Sequence, residues 1–481
     1  MSIKARFLKG GVQIALMQVM QHALLLARNI FVARLLPPEQ FGIALTLVTV
    51  ISALDAISEL GIELFLIRSP DIGDAALQNT LHTALVTRGL LSASAIFLIA
   101  HPVAKLFGAP DAAWAYQTLA AVPIVRAFVH LDVRRFERDL RFWPGLINNL
   151  ASSAIGTVTA IVLALEMRSY GAMLFALLMQ TAALAAGSHL FAERRYRLGY
   201  DRLHTGKLLS YGWPLLANGM LLFLTMQGDR LIVGSMLGMR ELAVYGAVAI
   251  LSTGVAQLVM KISGSLYLPL LSGLTPGESD YERRYELCGA ISTVLALGTL
   301  ITFGTIGAPL AQYAYGAAYV LPPALVALLG ARAAFRMLRS WPQIGFLATA
   351  NTKALLIANI SAVSGMAGMA ASLWFGLGVV VAALCLALGE AMAAAVSFLR
   401  QRQLGPVSHK AGQQFFAAVC AMAAALIAGH FFNLIPSGLL LQFALALVLS
   451  CAGALVVLRC SPSSRIVLAK IYQSAIWKTA K

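Results

Sequence analysis

The sequence predicts an all-α integral membrane protein with about fourteen transmembrane helices, and three observations predict it. Fourteen apolar stretches divide the chain, each at or near the roughly 20 residues that bridge a bilayer. Lys and Arg gather in every second gap between those stretches. The gaps are short, none much beyond about twenty residues, which leaves no room for a separate soluble domain. Composition agrees: 59% of the 481 residues are hydrophobic and 12% charged, with a mean hydropathy of +0.80. A soluble chain of this length cannot be built from that mixture.

Taken in order, the first span, 11–33, is long and rich in Gln, so it reads as a retained helix and not as the core of a cleavable signal peptide. Spans 40–67, 78–101, 114–133, 142–165 and 170–192 follow. Six more come after a basic gap, at 207–234, 241–270, 286–308, 320–341, 352–374 and 376–399. Two last ones fall at 412–434 and 437–459. Connections this short make neighbouring helices antiparallel. Of the 36 Lys and Arg, 26 lie on the side of the amino-terminal tail (Lys4, Arg6, Lys9), among them the runs Arg134–Arg141 and Arg194–Lys207. The other side holds four, Arg34, Lys105, Arg168 and Arg240. By the positive-inside rule both termini are cytoplasmic, in a multi-pass protein of a bacterial inner membrane.

The net charge of +16 does not imply nucleic acid as a partner. The cations are dispersed along loops, where they set orientation and attract anionic lipid headgroups. The five cysteines (Cys288, Cys385, Cys420, Cys451, Cys460) show no CxxC spacing and lie in or beside apolar spans, so no disulfide framework or metal site is expected.

A weak internal repeat organises the spans. Residues 29–42 align without gaps to 230–243, both running from a helix end through a tight turn into the next helix, and Pro102–Gly108 matches Pro309–Gly316 with one insertion. Six spans separate the copies, so the expected domains are two six-helix lobes in the same orientation, 1–200 and 201–403, joined by the Arg194–Lys207 gap. Residues 404–481, with the last two helices and a tail, stand outside the repeat.

Ionisable groups inside hydrocarbon are costly unless they face protein or water, so each is a functional candidate. On the first span Gln18, Gln21, His22, Arg28 and Asn29 fall within roughly 120° of arc. On the second, Ser52, Asp55, Glu59 and Glu63 share a face, the acids at i, i+4 and i+8, with Arg28, Arg88 and Arg126 available as counterions. In the second lobe Pro214, Asn218, Thr225 and Asp229 share one helix face, Thr253, Gln257 and Lys261 another, and Arg332, Arg336 and Arg339 a third. Each set has a plain alternative. The acids can simply neutralise arginines and fix packing, Arg336 and Arg339 read as orientation charges near the lipid interface, and Asp229 with Arg230 can form a local ion pair or cap. His22, His82 and His130 read as hydrogen-bonded interior histidines. Polar faces on at least four helices together imply a hydrated central cavity. No HExxH, GxSxG or Walker-type loop is present, so no catalytic residue and no enzyme activity is expected.

The stretches Ala33–Gly42 and Asp55–Gly61, then Gly228–Gly238 and Tyr245, resemble the polysaccharide O-antigen (Wzx-like) flippases of the multidrug/oligosaccharidyl-lipid/polysaccharide exporter superfamily. The resemblance covers roughly residues 5–400. It implies a secondary transporter that moves undecaprenyl-pyrophosphate-linked oligosaccharide across the inner membrane by alternating access, for O-antigen, capsule or exopolysaccharide biosynthesis. Arg28, Arg88, Arg126, Lys261 and Arg332, with Gln18, His22, Asn29 and Gln257, are the candidates for the pyrophosphate and glycan. Asp55, Glu59 and Asp229 are those for ion or proton coupling. No cofactor is expected beyond an H+ or Na+ gradient. The implied partners are the lipid-linked oligosaccharide and membrane lipids, with a polysaccharide polymerase and a chain-length regulator.

Overall fold

A backbone in hydrocarbon must satisfy its N–H and C=O groups internally, and a helix does so within one segment. Accordingly all regular structure among the described residues is helical. A computed structural model describes residues 3–139, 141–271, 274–275, 277–320, 322–348, 352–404 and 409–432. The chain divides into two units, Met1–Ala247 and Val248–Lys481.

The first unit opens with α1 (Ile3–Leu35) and α2 (Pro38–Ile57), whose Pro38 occupies the first helical turn, where its missing N–H costs nothing. The expected span 40–67 is interrupted. Gly61 adopts the left-handed conformation (φ 63°), which a glycine enters without strain, and a separate short helix α3 (Ile62–Arg68) follows. Helix α4 (Ala75–Leu106) is capped by the Asp74 side chain. The expected span 114–133 is also broken, into a 3-10 turn (Pro110–Ala112), α5 (Ala113–Leu119), α6 (Ala121–Ala127) and α7 (Asp132–Arg138). The bend between Pro110–Ala127 and Asp132–Arg138 is 53°. Pro123 lacks the N–H that would carry α5 smoothly into α6. Then come α8 (Trp143–Met167) and α9 (Gly171–Leu190). After segment 191–201, the continuous 36-residue α10 (Arg202–Leu237) begins. Its cap, Asp201, accepts the His204 N–H at 2.8 Å, and that hydrogen bond holds the carboxyl below the usual range. Helix α8 packs along both α1 and α9, α2 along α10, and α4 along α5 and α6. Leu47, Ile96, Phe107, Tyr116, Leu119 and Leu174 form the core of this unit.

The division after Ala247 falls inside α11 (Met239–Leu271). The second unit continues with α12 (Ser279–Thr305), α13 (Gly307–Tyr315), α14 (Pro323–Ala348), α15 (Thr352–Trp374), α16 (Gly378–Leu404) and α17 (His409–Phe432). Helix α14 packs against α12 and α16, and α15 lies along α16. Tyr281, Tyr285, Trp341, Phe398 and Phe415 form an aromatic core.

Among the described residues ten helices are long and apolar enough to cross a membrane, or eleven with the bent pair counted as one. The protein is therefore multi-pass, and fourteen spans are not reached among the described residues. Helix α14, which covers the expected span 320–341, carries three arginines, Arg332, Arg336 and Arg339. The expected span 437–459 and the end of 412–434 lie outside the described residues, as does most of the 404–481 segment beyond α17.

Candidate functional site

One polar cluster of the first unit is built on the end of α2. Asp55 stands on its last turn, Ser58 ends it, and Glu59 lies in the link before Gly61. Arg88 of α4 reaches all three. Its Nε donates to Ser58 Oγ at 3.1 Å, Nη2 lies 3.7 Å from Asp55 Oδ1 and Nη1 lies 3.3 Å from Glu59 Oε2. Arg126 of α6 contacts the other Asp55 oxygen, Oδ2. Glu59 also accepts the Gly61 N–H at 2.9 Å. Two arginines and two carboxylates thus meet on otherwise apolar helices, and they are open. Relative exposure is 17% for Arg88, 34% for Asp55, 46% for Glu59 and 50% for Arg126.

The expected third acid does not join them. Because Gly61 ends the helical register, Glu63 belongs to α3 and pairs with Arg134 at 2.5 Å. The third expected cation is elsewhere too. Arg28 is 5% exposed and donates from Nη1 to Gln180 Oε1 of α9 at 2.7 Å, and among the described residues it meets no carboxylate. Gly156 of α8 makes room, since a β-carbon there would stand 2.9 Å from Gln180 Oε1. Asn29, also buried, donates to Leu25 O of its own helix at 2.7 Å. His22 donates to Gln18 O at 2.9 Å, with both residues half-buried.

Asp229 is buried eight residues before the end of α10, where Tyr245 donates to its Oδ2 at 2.7 Å, so a capping role is set aside. The side chains of Pro214 and Asn218 lie outside the described residues. On α11 Gln257 is half-buried and Lys261, one turn on, exposed.

In the second unit Arg332, Arg336 and Arg339 are all buried on one face of α14. Arg336 donates to Glu390 Oε1 of α16 from Nε at 2.8 Å and from Nη2 at 2.5 Å. Arg339 Nη2 lies 3.4 Å from Glu390 Oε2. Arg336 and Arg339 are therefore not orientation charges at the lipid interface. Glu390, 3% exposed, draws them inward.

The structure brings Arg88, Arg126, Asp55 and Glu59 together, and holds Arg28 apart from them on Gln180. Sequence reasoning missed Gln180 and Ser58. Both are uncharged, and a search for ionisable groups passes over them. A polar amide in the middle of span 170–192 was the signal for Gln180.

Comparison with known proteins follows the same lines. A family model described as polysaccharide biosynthesis protein matches residues 31–321. The succinoglycan biosynthesis transport protein ExoT of Rhizobium meliloti (strain 1021) is 26% identical over 323 residues, 66% of this chain. The match spans 60% of that relative's length. Among solved structures, the lipid II flippase MurJ in an inward closed conformation aligns with a TM-score of 0.66 at 12% identity, over 94% of this chain and 99% of that one. An inward-facing multidrug resistance MATE family transporter of the MOP superfamily aligns with a TM-score of 0.59 at 16% identity, over 81% and 98%. At such identities the likeness is one of fold.

Proposed function

From the premise that the chain belongs to the polysaccharide biosynthesis protein family, we propose that it is a flippase carrying undecaprenyl-pyrophosphate-linked oligosaccharide across the bacterial inner membrane by alternating access. Its product serves an O-antigen, capsule or exopolysaccharide, and both termini are cytoplasmic. The matched relative's name, a succinoglycan biosynthesis transport protein, supports the glycan class.

One observation carries the reading: the half-open cluster of Arg88 and Arg126 with Asp55 and Glu59. A polyhydroxylated head cannot cross hydrocarbon unaided, whereas a polyprenyl tail stays in lipid. The transporter has to hold the head's pyrophosphate in a low-dielectric region. Guanidinium suits that task, because its planar fork makes paired, charge-assisted hydrogen bonds to phosphate oxygens. Asp55 and Glu59 occupy those forks and act as internal stand-ins for the pyrophosphate. Substrate binding is then an exchange of anions on Arg88 and Arg126. A proton or cation taken up by Asp55 or Glu59 frees the arginines, and this links the exchange to an ion gradient. Arg28, Lys261 and Arg332 with Gln18, His22, Asn29 and Gln257 complete the proposed substrate contacts, and Asp229 is a further proposed coupling group.

The test is deletion of the gene in its host followed by extraction of lipid-linked oligosaccharide from each leaflet. Build-up on the cytoplasmic leaflet, cleared by the wild-type chain but not by Arg28→Ala or Arg126→Ala variants that insert normally, is the expected result. Single repeat units gathering on the outer leaflet point to a polymerisation defect and overturn the proposal. No build-up at all overturns it as well, in favour of export of another solute. Normal export by both variants removes the arginines from the substrate path.

A further inference from the structure

Three histidines that the transport reading leaves unused meet at one end of the first unit, beside the basic run Arg134–Arg141. The rings of His82 (α4) and His130 (just before α7) lie edge to face with centroids 5.0 Å apart, and His189 of α9 is 5.3 Å from His130. Tyr196 stacks on His82 at 4.1 Å, and its hydroxyl donates to Ala127 O at 3.1 Å. Tyr196 belongs to segment 191–201, which joins α9 to α10 and contains no helix. Contacts with other elements hold this segment. Asp132 Oδ2 accepts the N–H groups of Glu193 at 2.9 Å and Arg194 at 2.7 Å, and the Gly199 N–H donates to Thr83 Oγ1 at 3.0 Å. His82 Nδ1 faces Arg197 O at 3.3 Å.

The backbone dictates the charge of the two inner rings. The Leu131 N–H points at His82 Nε2 from 3.3 Å, so that nitrogen accepts, and Nδ1 carries the proton facing Arg197 O. The Asp132 N–H donates to His130 Nδ1 at 3.1 Å, which therefore accepts as well. Both imidazoles are neutral in this arrangement. A second proton on either one sets N–H against N–H and places a cation 5.0 Å from the next histidine. Of the surrounding groups, α4 supplies Gln78, α7 supplies Asp132 and Arg135, α9 supplies His189, and the segment supplies Glu193, Arg194 and Arg197. Asp132 favours protonation, but Gln78, Arg135 and two backbone N–H groups already engage it. Arg135 and the neighbouring histidines oppose protonation, whereas the backbones of Arg194 and Arg197 favour it. Among the described residues no group of three His, Cys, Asp or Glu is arranged to hold a metal ion.

We propose that His82, His130 and Tyr196 form a proton-responsive latch on segment 191–201, closed while the imidazoles are neutral and opened when they take up protons. A histidine kept neutral by folding binds its proton on opening. The latch is therefore fully made above the free-imidazole value of about 6.5 and weakens as pH falls below it. This inference stands apart from the identity of the transported molecule.

The experiment is hydrogen exchange on the full-length protein in detergent, read as protection factors so that the chemical pH dependence of exchange divides out. Between pH 7.5 and 5.5 the amides of 191–201 lose protection by about tenfold or more, the effect of one proton bound over one pH unit below 6.5. In the double variant His82→Gln, His130→Asn an amide oxygen replaces each accepting nitrogen, and the loss disappears. His189→Gln, altered on the exposed flank of the cluster, keeps the loss. Wild-type protection that is flat with pH overturns the proposal, as does a double variant that loses as much as the wild type. Should the double variant not fold, 15N-histidine titration of the wild type decides. His82 and His130 protonating at the free-imidazole value while protection persists also overturns the latch.

Discussion

Two arginine–carboxylate clusters, one taken from each unit, are made of the same chemistry and built for opposite ends. In the first unit Asp55 bridges Arg88 and Arg126 with its oxygens open to the surroundings, and Arg126 is 50% exposed. In the second, Glu390 bridges Arg336 and Arg339 with every partner 3–4% exposed. Coulomb attraction is strong in a dry interior, but so is the desolvation that must be undone to separate the partners. A closed pair is therefore fixed, whereas an open one exchanges its carboxylate for another anion at little cost. Exposure, more than the identity of the pair, separates a structural charge from a working one.

The contrast can be broken most sharply at Glu390. Glu390→Gln leaves two buried guanidinium groups facing a neutral amide, and a loss of about 3–5 kcal/mol in unfolding free energy is expected in detergent. A loss below about 1 kcal/mol would make this cluster as exchangeable as the other. Next comes Gln180→Leu, which strips the acceptor from buried Arg28; about 1–3 kcal/mol is expected from the same measurement. Arg126→Ala sharpens the comparison from the other side, with stability changing by at most about 1 kcal/mol while glycan export falls. A large unfolding penalty there would recast the open cluster as scaffolding. The smallest effect is on ionic strength. The coupling energy of an Arg126/Asp55 double-mutant cycle shrinks as salt is raised through the range where exposed charges are screened, and that of Arg336/Glu390 does not.

Much of this was readable from the sequence, for definite reasons. A helix in hydrocarbon needs its apolar length, so α1, α2, α4, α8 and α9 stand where the apolar runs place them. Asp55 and Glu59 could be matched with Arg88 and Arg126 because isolated charges in such runs need opposites. The periodicity argument failed at Gly61, where one left-handed residue turned an expected i, i+4, i+8 stripe into two sites and sent Glu63 to Arg134. It failed again on α14, since a one-dimensional pattern does not say whether an arginine points to headgroups or to a glutamate 54 residues later. The partner of Arg28 was invisible for a related reason. An amide on α9 becomes a ligand for a guanidinium on α1 only through the space that Gly156 leaves on α8.

Helix α10 carries one more consequence. Its 36 residues extend about 54 Å, against the roughly 30 Å of a hydrocarbon core, so the helix is longer than one crossing needs. Its first turns, with Arg202, Lys207 and the Asp201 cap, continue the same helix beyond that length. A stiff rod held at one end works as a lever. A sideways push of a few ångströms at its amino-terminal end, where segment 191–201 is attached, passes along the helix as a tilt of the part that carries Asp229.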